Sequence, residues 1–221
     1  MLDALKDLVC AQNLELPANG LVVGSGGNVS ARDPATGLVV IKPSGVPFAR
    51  LTPETMVVVD LEGRLVEGSA KPSVDTGIHL YLYRNRDDVF GVAHTHSPYA
   101  SSFAARGERI PAVMTPITHM LGRDVPCSRY ATPGEVDTGK AILEAAEGGW
   151  AVLVKAHGVF TMGRDAKEAT AIAMYLEEAA MTTHLAMTRG PVEELPQEEI
   201  DRCYAWFRKN YGQSGHKVVN E

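Results

Sequence analysis

Cysteine is scarce in this chain: its 221 residues include three, Cys10, Cys127 and Cys203. They are far apart and form no CxxC pair. That excludes a disulfide framework and points to reduced thiols in a cytoplasmic protein. Long apolar runs are missing too, and no stretch approaches the roughly 18 residues of a membrane span. The opening residues, Met1-Leu2-Asp3-Ala4-Leu5-Lys6-Asp7, carry acids where a secretory signal carries a basic region and an apolar core. Positive charge is not in excess: 21 Lys plus Arg face 27 Asp plus Glu, a formal net charge of −6. Nucleic acid is therefore not an expected partner, because phosphate backbones need a basic footprint. No internal repeat or Ser/Gly/Pro-rich linker divides the sequence, so residues 1–221 read as a single domain. The 45% hydrophobic and 22% charged residues are ordinary globular values. A chain this long buries roughly 70% of its unfolded surface and folds without staples.

Hydrophobic spacing gives the element order. Leu2, Leu5, Leu8 and Val9 predict an amphipathic helix over 2–14, ended by Pro17 and Gly20. Strands are expected at Leu21–Val23, Asn28–Ala31, Leu38–Lys42 and Met56–Asp60. Turn residues at 33–37 and at Glu62-Gly63 predict two hairpins. After Pro72 the pattern alternates. A helix over 75–85 is followed by a strand over 89–94, and a helix from Ser97-Pro98, with N-cap and N1-proline chemistry, to Arg106. A helix over 135–147 precedes a strand over 150–155. Asp165 and Glu168 form a capping box that opens a long helix to about Met187, and 197–209 is the last helix. This order predicts an α/β three-layer sandwich, with a central mixed, largely antiparallel sheet flanked by helices.

Three histidines stand at strand ends. His94 and His96 are two apart, so a strand presents both on one face. His157 follows the apolar strand Trp150–Val154. Three imidazoles with one open position are the composition of a catalytic zinc site; solvated histidines on exposed strand ends are the plainer alternative. Asp75 opens a helix, so it reads as an N-cap, as a fourth ligand or as a nearby base. His79 stands four residues on and can share its helix face; a blander role than that of the other three is the first reading, a further ligand the second. His184 reads as a surface or interface residue and His216 as part of a polar tail.

Glycine-rich Gly24–Asn28 lacks the dinucleotide fingerprint and the P-loop lysine. It can still form an anion nest. Ser44-Gly45 follows Lys42-Pro43, and Ser73 follows Lys71-Pro72, each placing a hydroxyl and a free N–H after a proline-fixed turn. Spacing alone favours three ordinary turns over a shared phosphate cradle.

Seven segments taken together are more specific. Gly27-Asn28-Val29-Ser30, Ile41-Lys42-Pro43-Ser44-Gly45-Val46, Met56–Asp60, Glu67-Gly68, Pro72-Ser73-Val74-Asp75-Thr76, His94-Thr95-His96 and His157-Gly158 follow one another in a known order. The chain resembles, over almost its whole length, the class II aldolases of the L-fuculose-phosphate aldolase and L-ribulose-5-phosphate 4-epimerase family. The resemblance implies one zinc ion per subunit, bound by Asp75, His94, His96 and His157. It implies that Gly27, Asn28, Lys42, Ser44, Gly45, Ser73 and Val74 hold a phosphorylated ketose, chiefly its phosphate. Lys42, the use of Asp rather than Glu at Asp75, and the ending Asn210-Tyr211-Gly212-Gln213 look like the epimerase branch. Tyr211 matches the epimerase tyrosine that exchanges a proton with the substrate oxygen. His119 stands where the epimerases carry a catalytic Asp, and an imidazole also moves protons near neutral pH. Val74 replaces a second Ser, and the stretch from Pro126 to Trp150 has aldolase length.

The activity implied is that of a zinc-dependent L-ribulose-5-phosphate 4-epimerase. It would break and re-form a C–C bond through an enediolate that zinc stabilises. The alternative is a class II retro-aldolase on a phosphorylated deoxyketose such as L-fuculose 1-phosphate. A decarboxylase with the same chemistry and a non-catalytic scaffold like the adducin head are further readings; the retained histidines argue against the scaffold. The resemblance also implies a homotetramer with active sites between subunits and Tyr211 reaching into the neighbour's site. Spacing alone equally allows Tyr211 to anchor the C-terminus on its own subunit.

Overall fold

The computed structural model describes residues 2–134 and 136–211. Among these residues, seven strands form one sheet in the order β4-β3-β2-β1-β5-β7-β6. They are β1 Asn28–Arg32, β2 Val39–Ile41, β3 Val57–Val59, β4 Leu65–Glu67, β5 Gly91–Thr95, β6 Ala151–Val154 and β7 Gly158–Gly163. All six ladders are antiparallel. The expected parallel component shrinks to one isolated bridge, Cys127 with Leu153. Helices α1 Asp3–Ala18, α3 Pro98–Arg106, α4 Thr115–Leu121, α6 Ala166–Met187 and α7 Gln197–Asn210 form one outer layer, while α2 Thr76–Asn85 and α5 Val136–Ala146 form the other. The expected three-layer sandwich is what forms.

Strand alternation sorts the core. Val152, Val154, Phe160 and Met162 face α2 and α5. Ala151, Leu153 and Val159 face α3 and α6. Burying a Val, Leu, Ile or Phe side chain contributes about 1.5–3 kcal/mol, so a one-residue slip of register would expose a whole row of them.

Several elements differ from the sequence reading. α1 runs through Pro17. It closes in a Schellman motif, with Leu21 N donating to Leu16 O at 2.9 Å and Gly20 N to Pro17 O at 3.2 Å. Leu21–Val23 is a loop, because Leu21 and Val22 turn into the core under α1 instead of pairing. The α3 start has its proline at the first turn, but Ser97 makes no capping bond. The Glu177 carboxylate of α6 caps it, accepting from Tyr99 N and Ala100 N at 2.8 Å each. The Asp165 cap of α6 forms as expected, accepting from Glu168 N at 2.7 Å. α4 and β7 have no counterpart in the sequence reading. His157 therefore lies in the tight turn of the β6–β7 hairpin rather than at a strand end opening into a loop.

Candidate metal and substrate site

β1, β5 and the β6–β7 turn converge at one end of the sheet. In the β1–β5 ladder Asn28 lies opposite His94. His94 points towards α2, with its ring stacked on Phe160 at 4.3 Å between centroids. Its Nδ1 donates to Val159 O at 2.9 Å, which leaves Nε2 as a lone pair facing His96. The two Nε2 atoms are 3.0 Å apart. With His157 they form a set in which one ligand atom from each residue lies within 4.8 Å of the others. Two nitrogens on one zinc, each about 2.0–2.1 Å from it, sit roughly 3.3 Å apart, so His94 and His96 have the spacing of a shared divalent ion, with His157 the third member of the set. His157 Nδ1 is buried without a hydrogen-bond partner among the described residues. Burial pushes His94 down to about 3, helped by His96 and His157 and opposed by Asp75. Burial also lowers His157. All of this favours the neutral imidazoles that metals bind.

Two glycines make room for this geometry. A Cβ on Gly158 would lie 2.5 Å from Thr95 O and 2.8 Å from the His96 ring. A Cβ on Gly27, where φ is +74°, would lie 2.5 Å from Val22 and 2.8 Å from His94 O. A side chain at Gly158 would press on the His96 ring and the Thr95 carbonyl, and one at Gly27 on Val22 and the His94 carbonyl.

Asp75 occupies the N-cap position of α2 but makes no side-chain cap. Its Oδ2 accepts from Asn28 Nδ2 at 2.7 Å instead. Burial raises its pKa, but His94, His79 and the Asn28 bond outweigh that and leave it below the usual carboxylate value. Asp75 lines the same cavity as the three histidines, yet it is not part of the close ligand set. The expected cap does not form, and the carboxylate stays available as a fourth ligand or as a base.

That cavity holds about 320 Å³ and is lined by all seven sequence-proposed substrate residues: Gly27, Asn28, Lys42, Ser44, Gly45, Ser73 and Val74. The two Lys-Pro-Ser segments are tied to each other. Ser44 N donates to Lys71 O at 2.8 Å and Ser73 N to Lys42 O at 3.0 Å. The N–H groups expected to be free are thus spent on holding the segments together, which leaves the Ser hydroxyls and Lys42 for a ligand. Lys42 is buried, and its Nζ donates to Ser25 O at 3.1 Å. Burial lowers its pKa, with Asp75 opposing. Ser25, Gly26, Pro133 and Gly134 also line the cavity. The first two belong to the glycine-rich turn already singled out; the last two come from a distant loop that no short-range pattern marks.

A family model described as Class II Aldolase and Adducin N-terminal domain matches residues 7–184. The chain belongs to this family. Among solved structures it is similar to an L-fuculose 1-phosphate aldolase, at 32% identity over 93% of this chain and 96% of that one, with a TM-score of 0.89. L-Fuculose-1-phosphate aldolase from Thermus thermophilus is 29% identical over 85% of this chain and 98% of that one, with a TM-score of 0.72. YgbL from Klebsiella pneumoniae, described as a putative aldolase/epimerase/decarboxylase, is 25% identical over 92% and 99%, with a TM-score of 0.82.

Two sequence-proposed catalytic residues of this class II aldolase family member lie elsewhere. His119 and Tyr211 line a second cavity of about 450 Å³, with Tyr175, Arg164 and Arg208. They are joined by a stack. His119 lies 4.7 Å from Phe207 at 7°, and Phe207 lies 4.2 Å from Tyr211 at 17°. Tyr175 pairs with the Tyr211 hydroxyl, and that bond raises the Tyr175 pKa. His184 is exposed, and His216, Gly212 and Gln213 fall outside the described residues. The three cysteines are free thiols, and among the described residues no helix is long and apolar enough to cross a membrane.

Proposed function

We propose that this protein is a metal-dependent sugar-phosphate aldolase, which breaks a C–C bond of a phosphorylated ketose and releases an aldehyde. The observation that carries the reading is the shared cavity. His94, His96, His157 and Asp75 line the same cavity as Lys42, Ser44 and Ser73, so one small ligand can touch both groups. The histidines fit zinc, one ion per subunit. Such an ion supplies a Lewis acid that draws electron density from a ketose carbonyl. Lys42 and the Ser44 and Ser73 hydroxyls bind the phosphate and fix the sugar's register. Asn28 orients Asp75, whose carboxylate takes the proton from the hydroxyl that becomes the aldehyde. Gly26 and Gly27 let the backbone close on the ligand.

The return proton needs an acid. His119 and Tyr211 do not line this cavity in one chain, so we place them at a neighbour's site in a homotetramer. Exposed apolar side chains support such an interface: Val23 and Val74 beside the first cavity, Trp206 and Tyr211 on α7 and at its end. The free thiols suit the cytoplasm.

The 4-epimerase reading has one observation in its favour. Two proton carriers, His119 and Tyr211, stand in one cleft, and epimerisation needs groups on both faces of the aldehyde. Proton NMR of the enzyme with L-fuculose 1-phosphate, and separately with L-ribulose 5-phosphate, tests both readings. Lactaldehyde from the first supports the aldolase. A new ketose phosphate from the second, with no free aldehyde, supports the epimerase and overturns the aldolase.

A further inference from the structure

The α2 face of β1 is polar where the surrounding interface is apolar. Successive strand residues alternate faces, so Asn28 and Ser30 point together towards α2. Along α2 and its cap, Asp75, His79 and Tyr83 follow at intervals of four, one above another on a helix face. The two repeats match, because two strand residues advance about 6.6 Å and four helical residues about 6 Å. Polar rungs result. Asn28 Nδ2 donates to Asp75 Oδ2 at 2.7 Å. Ser30 Oγ lies 2.7 Å from His79 Nδ1 and 2.7 Å from the Tyr83 hydroxyl. Ser30, His79 and Tyr83 are completely buried.

His79 is an expensive residue for that position. Its Nε2 is buried and has no hydrogen-bond partner among the described residues. An apolar ring would fill the space, against the edge of Phe160, without that cost. Its electrostatic partner is Asp75, one turn away on the same face. Ser30 has one proton for two partners. If Tyr83 O–H donates to Ser30, Ser30 O–H donates to His79 Nδ1, and the ring proton then sits on Nε2. That arrangement puts the positive end of an N–H dipole in the field of the Asp75 carboxylate; the reverse one puts a lone pair there.

We propose that His79 is a positioning residue of the metal centre: held by Ser30 and Tyr83 with its proton on Nε2, it orients the Asp75 carboxylate towards the His94–His96–His157 cluster. The inference rests on reading that cluster as a metal centre and adds the polar ladder behind it.

The test measures Zn²⁺ affinity by competition with a chromophoric chelator. It uses the full-length wild type, His79→Phe, His79→Gln, Asp75→Asn and the His79→Phe/Asp75→Asn double variant. Circular dichroism establishes that each is folded. His79→Phe keeps the volume and removes the donor, and should weaken binding by about tenfold or more, as outer partners of metal ligands do. His79→Gln carries an amide N–H close to the Nε2 position and should recover most of that loss. In the Asp75→Asn background, His79→Phe should change affinity by less than about twofold, the margin of independent effects. An equal loss in both backgrounds would make His79 a core filler and overturn the inference. Should His79→Phe fail to fold, the long-range ¹⁵N spectrum of wild-type His79 decides instead. Protonated Nε2 is expected, and protonated Nδ1 overturns the proposal. A folded wild type that binds no zinc refutes the metal centre itself, whereas zinc binding without coupling to Asp75 refutes only the role of His79.

Discussion

Replacing Lys42 by Met isolates the charge that the account assigns to phosphate binding. Lys42 is 2% exposed, and its Nζ lies 3.1 Å from Ser25 O and 4.9 Å from the Phe48 ring centroid. Methionine keeps the apolar stem against Phe48 and removes the ammonium. The bond lost to Ser25 is replaceable, since Ser25 is exposed and water can reach it. A hydrogen bond to a charged group is worth about 1.5–3 kcal/mol. At about 1.4 kcal/mol per decade, KM for a phosphorylated ketose should rise roughly 10- to 150-fold. The chemical step does not use Lys42, so kcat should move by no more than a few-fold. Steady-state kinetics with the phosphorylated ketose and its unphosphorylated counterpart supply the control. The weak kcat/KM of the unphosphorylated sugar should be unchanged. An unaltered KM for the phosphorylated sugar, or equal losses on both, would refute the placement of the phosphate at Lys42.

Tyr211→Phe should lower kcat by about 100- to 10,000-fold, the range for a lost general acid or base, with metal content intact. Co-assembly with inactive His94→Ala subunits should restore part of the activity, and no recovery in verified mixed oligomers would keep Tyr211 out of a neighbour's site. Ala156 holds φ of +60° in the turn before His157. A left-handed L-residue costs roughly 1–2 kcal/mol and glycine returns part of that in chain entropy, so Ala156→Gly should stabilise by up to about 1 kcal/mol; a lower Tm would contradict it. Burial holds His79 and His94 down to about 4 and about 3 against an ordinary 6.5. The unfolded chain takes up these protons before the folded one does, so the metal-free protein should lose stability as pH falls from 6.5 towards 4. The gap at His79 alone corresponds to roughly 3 kcal/mol. Urea unfolding at pH 7 and at pH 4.5 measures it, and equal midpoints would contradict the buried neutral histidines.

The site was more legible in the sequence than parts of the fold. His94, His96 and the Lys-Pro-Ser segments are short motifs whose spacing survives folding, and they meet in one cavity. β7 was hidden because the turn before it uses Ala156 in a left-handed conformation, with no Asn or Gly there to mark a hairpin. α4 was hidden because it is seven residues long and held by packing on α6 and on α7, far away in sequence. The hydroxyls of Ser44 and Ser73 were readable as ligand groups. That their N–H groups bond to Lys71 and Lys42 was not, since that pairing joins segments 29 residues apart. The Pro133-Gly134 wall and the stack of His119 on Phe207 likewise depend on long-range packing.

The central claim is that the His94–His96–His157 centre activates the carbonyl fragment of a phosphorylated ketose. Solvent exchange into dihydroxyacetone phosphate tests it without knowledge of the aldehyde partner. Metal-loaded enzyme in D₂O should replace one hydroxymethyl proton of dihydroxyacetone phosphate by deuterium, followed by proton NMR, and both chelator-treated enzyme and His94→Ala should fail to do so. Metal-replete, folded enzyme that leaves that proton in place, or exchange that persists in His94→Ala, would contradict the account.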